Sequence, residues 1–146
     1  MSDLDKVNPD VLCTEFNQDS TSVAIGTKTG LKIWSIRDGG NSIDLLHQDN
    51  SQPRITLAER LFSSSLLIVV SQENPRRLRV LHFRKSTEIC AYSYSSAILS
   101  CRINRLRLIV ILENAIYIHN IKDMKMLHNI KDTPNNSYGI CCLSTS

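Results

Sequence analysis

The chain has 146 residues, 42% of them apolar and 21% charged, with a formal net charge of +3. That is enough chain for one domain with its own core, and the balance excludes the sparse apolar content and high net charge of disordered sequences. The charge is uneven: residues 1–50 carry eight acids against four bases, whereas residues 76–107 carry eight bases against one acid.

Residues 1–11 begin polar and acidic, unlike a secretory signal, and are expected to be a disordered N-terminal segment. Beyond them, short apolar segments rich in Val, Ile, Leu and Tyr alternate with polar or glycine-containing breaks, which is the pattern of strands. None approaches the ~20 apolar residues of a membrane span, so no transmembrane segment is expected and membrane contact would be peripheral. Strands are expected at 12–16, 23–26, 31–36 and 43–47, then at 56–62, 66–71, 78–83 and 88–93, then at 97–103, 108–112, 116–121 and 126–130. The third strand of each set has one shape, and its central residues Ile33, Val80 and Ile118 recur at 47 and then 38 positions. Four strands in about 40–47 residues is the period of a propeller blade. Trp34 stands where a WD-type repeat carries its tryptophan, with Ser35 in place of the aspartate. The expected fold is therefore all-β: an incomplete β-propeller with blades at 12–48, 55–95 and 97–131, and the first strand of a fourth blade at 138–146. Open blade edges would favour oligomerisation.

Strands a to d of a blade alternate in direction from the axis outward. The a–b and c–d turns therefore share one face, and the b–c turns and d–a links share the other. Arg84 and Lys85 fall in the c–d turn of blade two, and Arg105 and Arg107 flank the a–b turn of blade three. With His82 at the end of strand c, they are expected to line a cleft between blades two and three. Such a cleft suits an acidic protein segment, because arginine pairs bidentately with carboxylates. Phe83, Ile89 and Tyr92 would add apolar contact. Ordinary solvated charge is the alternative. Arg76 and Arg77 are expected in a b–c turn, on the opposite face.

The five cysteines are odd in number and show no Cys-x-x-Cys spacing, so they read as reduced thiols of a cytosolic or nuclear protein. His47, His82, His119 and His128 have no metal-like spacing; His119, read as repeating the place of His82, is expected to be structural. Gly39-Gly40 is expected as a c–d turn and Ser63-Ser64-Ser65 as a turn. No phosphate loop or nucleophile motif occurs, so no enzyme and no cofactor are expected. Nucleic acid is not an expected partner, since aromatic residues are only 5% and no basic–aromatic platform is visible.

Phe16-Asn17-Gln18-Asp19 with Thr21 to Thr27, Glu59-Arg60-Leu61-Phe62-Ser63-Ser64-Ser65-Leu66, Pro75-Arg76-Arg77-Leu78, Glu88-Ile89-Cys90 with Tyr92-Ser93-Tyr94-Ser95, and Asn104-Arg105 through Asp123-Met124 resemble the first three blades of the PROPPIN or WIPI family. The resemblance runs from about Leu12 to the C-terminus. It implies the N-terminal part of a propeller that binds phosphatidylinositol 3-phosphate and the 3,5-bisphosphate on phagophore or endosomal membranes, and recruits autophagy proteins from the cytoplasm. The family's lipid sites surround a Phe-Arg-Arg-Gly motif of later blades, which is absent here. Phe83-Arg84-Lys85-Ser86 departs from it at two positions and lies too early, so no lipid-binding residue is assigned to this chain. A generic WD-type interaction scaffold, or a truncated product without lipid binding, is the other reading.

Overall fold

The computed structural model describes residues 10–145, so most of the expected disordered segment 1–11 lies outside the described residues. Val11 already opens a strand. Among the described residues, twelve strands form three antiparallel four-stranded sheets in sequence order. Sheet one holds β1 (Val11–Phe16), β2 (Ser22–Thr27), β3 (Leu31–Arg37) and β4 (Ser42–Asp49). Sheet two holds β5 (Ile55–Arg60), β6 (Leu66–Ser71), β7 (Asn74–His82) and β8 (Thr87–Ser93). Sheet three holds β9 (Ser100–Ile103), β10 (Arg107–Ile111), β11 (Ala115–Asn120) and β12 (Met126–Lys131). The array is open.

Side chains alternate across each strand, and the middle sheet is covered on both faces. Leu67 and Val69 of β6 pack towards sheet one, with Ala24, Leu31, Ile33 and Phe83. Ile68 and Val70 of the same strand pack towards sheet three, with Leu108 and Val110. A strand covered on both faces must be apolar throughout, which explains the unbroken run Leu66–Val70. Each such side chain, taken fully from water, contributes roughly 1.5–3 kcal/mol. The inner strands approach closely at Gly26, where a Cβ would lie 2.2 Å from the Ile55 carbonyl oxygen. No other residue fits there.

The repeat is finer than hydropathy shows. The c–d pairing slips by one residue at the same place in all three sheets: between Ile33 and Trp34, between Val80 and Leu81, and between Ile118 and His119. His119 therefore stands at the place of Leu81 and Trp34, one residue before the place of His82. It is buried, 2.8 Å from the Tyr94 hydroxyl at Nε2 and 3.0 Å from the Met124 carbonyl at Nδ1, which is a structural role. Arg76 and Arg77 belong to β7 rather than to a turn. Ser71 pairs with Asn74, so the b–c turn is closed by Gln72 and Glu73 alone. Gly39-Gly40 and Ser63-Ser64-Ser65 do lie in turns. Residues 138–145 form no strand; a strand needs a hydrogen-bonded neighbour, and none of the described residues supplies one there. One contact nonetheless repeats. Asn104 Nδ2 donates to the Ser144 carbonyl at 3.0 Å, as Asn17 Nδ2 donates to the Phe62 carbonyl at 3.0 Å.

Candidate functional site

One face is built from the a–b and c–d turns, and the backbone ties them together in the same way in each blade. Ile36 N donates to the Thr21 carbonyl at 2.8 Å, Phe83 N to Ser65 at 3.0 Å, and Ile121 N to Leu106 at 3.1 Å. Side chains then join neighbouring blades. Gln18 Nε2 reaches the carbonyls of Arg60 at 3.2 Å and Ile103 at 3.0 Å, so one amide links all three blades. Phe62 is held at its N–H by Gln18 Oε1 and at its carbonyl by Asn17 Nδ2. It adopts φ +44°, a left-handed conformation costly for a bulky side chain. The contacts from blade one hold it there.

Cations stack on the two phenylalanines of this face. The Arg105 guanidinium lies 3.6 Å from the Phe62 ring centroid. Arg84 and Arg60 lie 5.7 Å and 5.3 Å from that of Phe83, within cation–π range. Arg60 is buried and fully engaged: Nε donates to Ser64 O at 2.9 Å, Nη2 to Ser63 O at 2.8 Å, and Nη1 to Ser22 Oγ at 3.0 Å. Burial, and then the like charge of Arg84, lower its pKa. Sequence reading passed over Arg60 and Phe62 as site residues. The signal was the Arg60-x-Phe62 pair opening an a–b turn.

The expected site residues are distributed as follows. Arg84 and Lys85 are exposed in the c–d turn of blade two, where Lys85 N donates to His82 Nδ1 at 3.2 Å. Arg105 is exposed, and half-buried Arg107 donates to the Leu106 carbonyl at 3.0 Å. Among the described residues, no hydrogen bond, ion pair or ring contact joins Arg84 or Lys85 to Arg105 or Arg107. His82 lines a groove with His47 and Asp49, on the blade-one side. Phe83 is 2% exposed and packs on the His47 ring at 5.1 Å, so it belongs to the core between blades one and two and is not available as interface contact. Ile89 is exposed; Tyr92 is half-buried against His119. Arg77 and Arg79 both pair with Glu88, at 3.3 and 2.6 Å. Arg84, Lys85, Arg105 and Arg107 have no carboxylate partner among the described residues.

The inner strands carry a second polar cluster. Glu59 is 6% exposed; its Oε1 accepts from Ile103 N at 3.1 Å and its Oε2 lies 3.5 Å from Cys101 Sγ. Burial pushes its pKa up to about 7, with Arg102 opposing and Glu15 adding. Burial likewise pushes the Cys101 thiol well up, so it is an inert thiol. Among the described residues, no three His, Cys, Asp or Glu side chains are grouped to hold a metal, and no helix is long and apolar enough to cross a membrane.

A family model described as PROPPIN matches residues 10–146. The chain is 54% identical over 135 residues to "WD repeat domain phosphoinositide-interacting protein 1" of Xenopus laevis, covering 92% of this chain and 31% of that protein. It is 40% identical over 145 residues to "Autophagy-related protein 18" of Caenorhabditis elegans, covering 95% of this chain and 35% of that one. Among solved structures, the "Complex of KlAtg21 with coiled-coil of AgAtg16" superposes with a TM-score of 0.73 at 22% identity, over 84% of this chain and 39% of that chain. The chain spans about a third of the length of the curated relatives it matches.

Proposed function

The chain belongs to the PROPPIN family, and from that premise we propose that it is the N-terminal part of a non-catalytic, phosphoinositide-binding propeller that acts as a scaffold in autophagosome formation. In this reading the protein is cytoplasmic and is recruited peripherally to phagophore or endosomal membranes carrying phosphatidylinositol 3-phosphate or the 3,5-bisphosphate. The lipid contacts belong to later blades, since the Phe-Arg-Arg-Gly motif is absent here. This segment contributes the protein-binding part: Arg84, Lys85, Arg105 and Arg107 receive an acidic segment of a partner between blades two and three, with His82 behind them, on the blade-one side, accepting from Lys85 N.

One observation carries the reading. These four cations lack a carboxylate partner among the described residues, while Arg77 and Arg79 of the same blade are neutralised by Glu88. An acidic segment supplies the missing charge, and Arg105, already oriented by the Phe62 ring, loses little freedom on pairing. Names among the relatives support the lipid and autophagy halves, and the coiled-coil complex supports a protein partner for the fold.

The test has two arms. Arg105→Glu with Lys85→Glu is expected to weaken binding of a glutamate-rich peptide at least about tenfold, with an unchanged melting curve. Unchanged binding removes the cleft. Flotation of the purified chain is expected to be indifferent to phosphatidylinositol 3-phosphate in the liposomes; lipid-dependent flotation would move the lipid site onto these blades.

A further inference from the structure

The a–b turn of blade two sits among three arginines and ends in serines. Arg60 holds the carbonyls of Ser63 and Ser64 from beneath. Arg105 reaches in from blade three onto the ring of Phe62, the residue immediately before Ser63. Arg84 follows Phe83, whose N–H donates to the Ser65 carbonyl, so the c–d turn closes the third side. The acid that acts on Arg60 is Asp19, an exposed carboxylate already accepting from the Thr21 hydroxyl and N–H. Positive charge at the turn is therefore in excess.

The serines differ. Ser64 Oγ is spent within the turn, donating to the Leu61 carbonyl at 2.6 Å and accepting from Leu66 N at 3.2 Å. Ser65 is half-buried. Ser63 is exposed and its hydroxyl makes no hydrogen bond among the described residues. Its backbone is pinned by Arg60, so the hydroxyl is presented from a fixed support.

We propose that Ser63 is a phosphorylation site whose phosphate is held by Arg84 and Arg105, and that this closes the basic face to acidic segments. In the transfer, catalysed by a protein kinase, Ser63 Oγ bonds to the γ-phosphorus of ATP. The bond to the β-phosphate oxygen breaks, ADP leaves, and the hydroxyl proton passes to the base of the kinase. The dianion then pairs with guanidinium groups that present planar donors to its oxygens. Occupied by an internal anion, Arg84 and Arg105 no longer serve an external one. The closing effect rests on the acidic-segment reading above; the docking of the phosphate does not.

Phosphoserine installed at position 63 of the full chain, and at exposed Ser137 as control, separates the two. Phosphorus NMR is expected to show the second phosphate pKa at position 63 about one unit below that of the control, as a nearby cation requires. Arg84→Gln or Arg105→Gln should return part of the shift. Identical titration at the two positions overturns the docking. Incubation of the unmodified chain with ATP and a basophilic kinase should put phosphate on Ser63; modification confined to other serines overturns its assignment as acceptor. The modified chain should bind a glutamate-rich peptide about tenfold more weakly than the unmodified chain. Equal binding overturns the closing effect. Failure of the unmodified chain to bind overturns the acidic-segment reading and the closing effect with it, while the phosphate titration still decides the docking.

Discussion

Blade two carries two groups of arginines that look alike in sequence and are opposite in state. Arg77 and Arg79, along β7, share the carboxylate of Glu88 across the strand pair. Arg84, one turn further on, has no acid beside it and leans on the Phe83 ring next to Arg60. The difference comes from the pleat. Arg77 and Arg79 are two residues apart on a strand, hence on one face, and the neighbouring strand brings Glu88 to that face. The turn has no neighbouring strand, so its cations are neutralised by nothing local. Within blade two, the strand arginines Arg77 and Arg79 are absorbed by Glu88, and the turn cations Arg84 and Lys85 are left for a partner.

The sharpest way to break that contrast is Arg60→Ala. Arg60 is a turn-face arginine that is buried, and its loss strands the Ser63 and Ser64 carbonyls and the Ser22 hydroxyl. Destabilisation of about 3 kcal/mol is expected from a denaturant melt. Arg84→Ala, its exposed neighbour, should stay within about 0.5 kcal/mol of the parent. Equal effects would mean that burial does not separate them.

The two carboxylates offer the next comparison. Glu59 is buried between inner strands and its folded pKa is raised from 4.5 to about 7, so protonation favours the folded chain. That contribution is whole below about pH 4.5 and is lost as pH rises towards 7, by about 3 kcal/mol. Glu59→Gln should flatten this part of the stability-against-pH curve. A curve of the same slope in the variant would assign the loss to other groups. Glu88→Gln is expected to do less, about 0.5 kcal/mol, because the pair is partly solvated. It should release Arg77 and Arg79 and give the strand region weak, salt-sensitive retention of a glutamate-rich peptide. No gain in retention would count against unneutralised arginine as the determinant of binding.

Much of the architecture was legible in the residues because blades repeat. The spacing of Ile33, Val80 and Ile118 carried the three sheets, and the doubly covered run Leu66–Val70 marked a central strand. The b–c turn of blade two was misread because Pro75-Arg76-Arg77 has turn-like composition, while the two-residue turn before it carries no glycine or proline. His119 was misaligned with His82, although the spacing of Ile33, Val80 and Ile118 already puts it at the place of Leu81 and Trp34. The site was less legible still. Arg84, Lys85 and Arg105 could be assigned to turns, but Arg60 and Phe62 could not be recognised as their supports. Phe83, apolar beside two cations, looked like an interface residue and is core.

By itself the sequence determined the fold class, the period, the turn location of Arg84, Lys85 and Arg105 and the family likeness, since all of these are carried by the order of residues along the chain. Only the tertiary structure decided which charges are neutralised, which aromatic rings are buried and which blade each turn leans on. Those outcomes depend on contacts between residues some 40 positions apart, such as Asn17 with Phe62, Glu59 with Ile103 and Phe62 with Arg105, and no local pattern encodes the distance between blades.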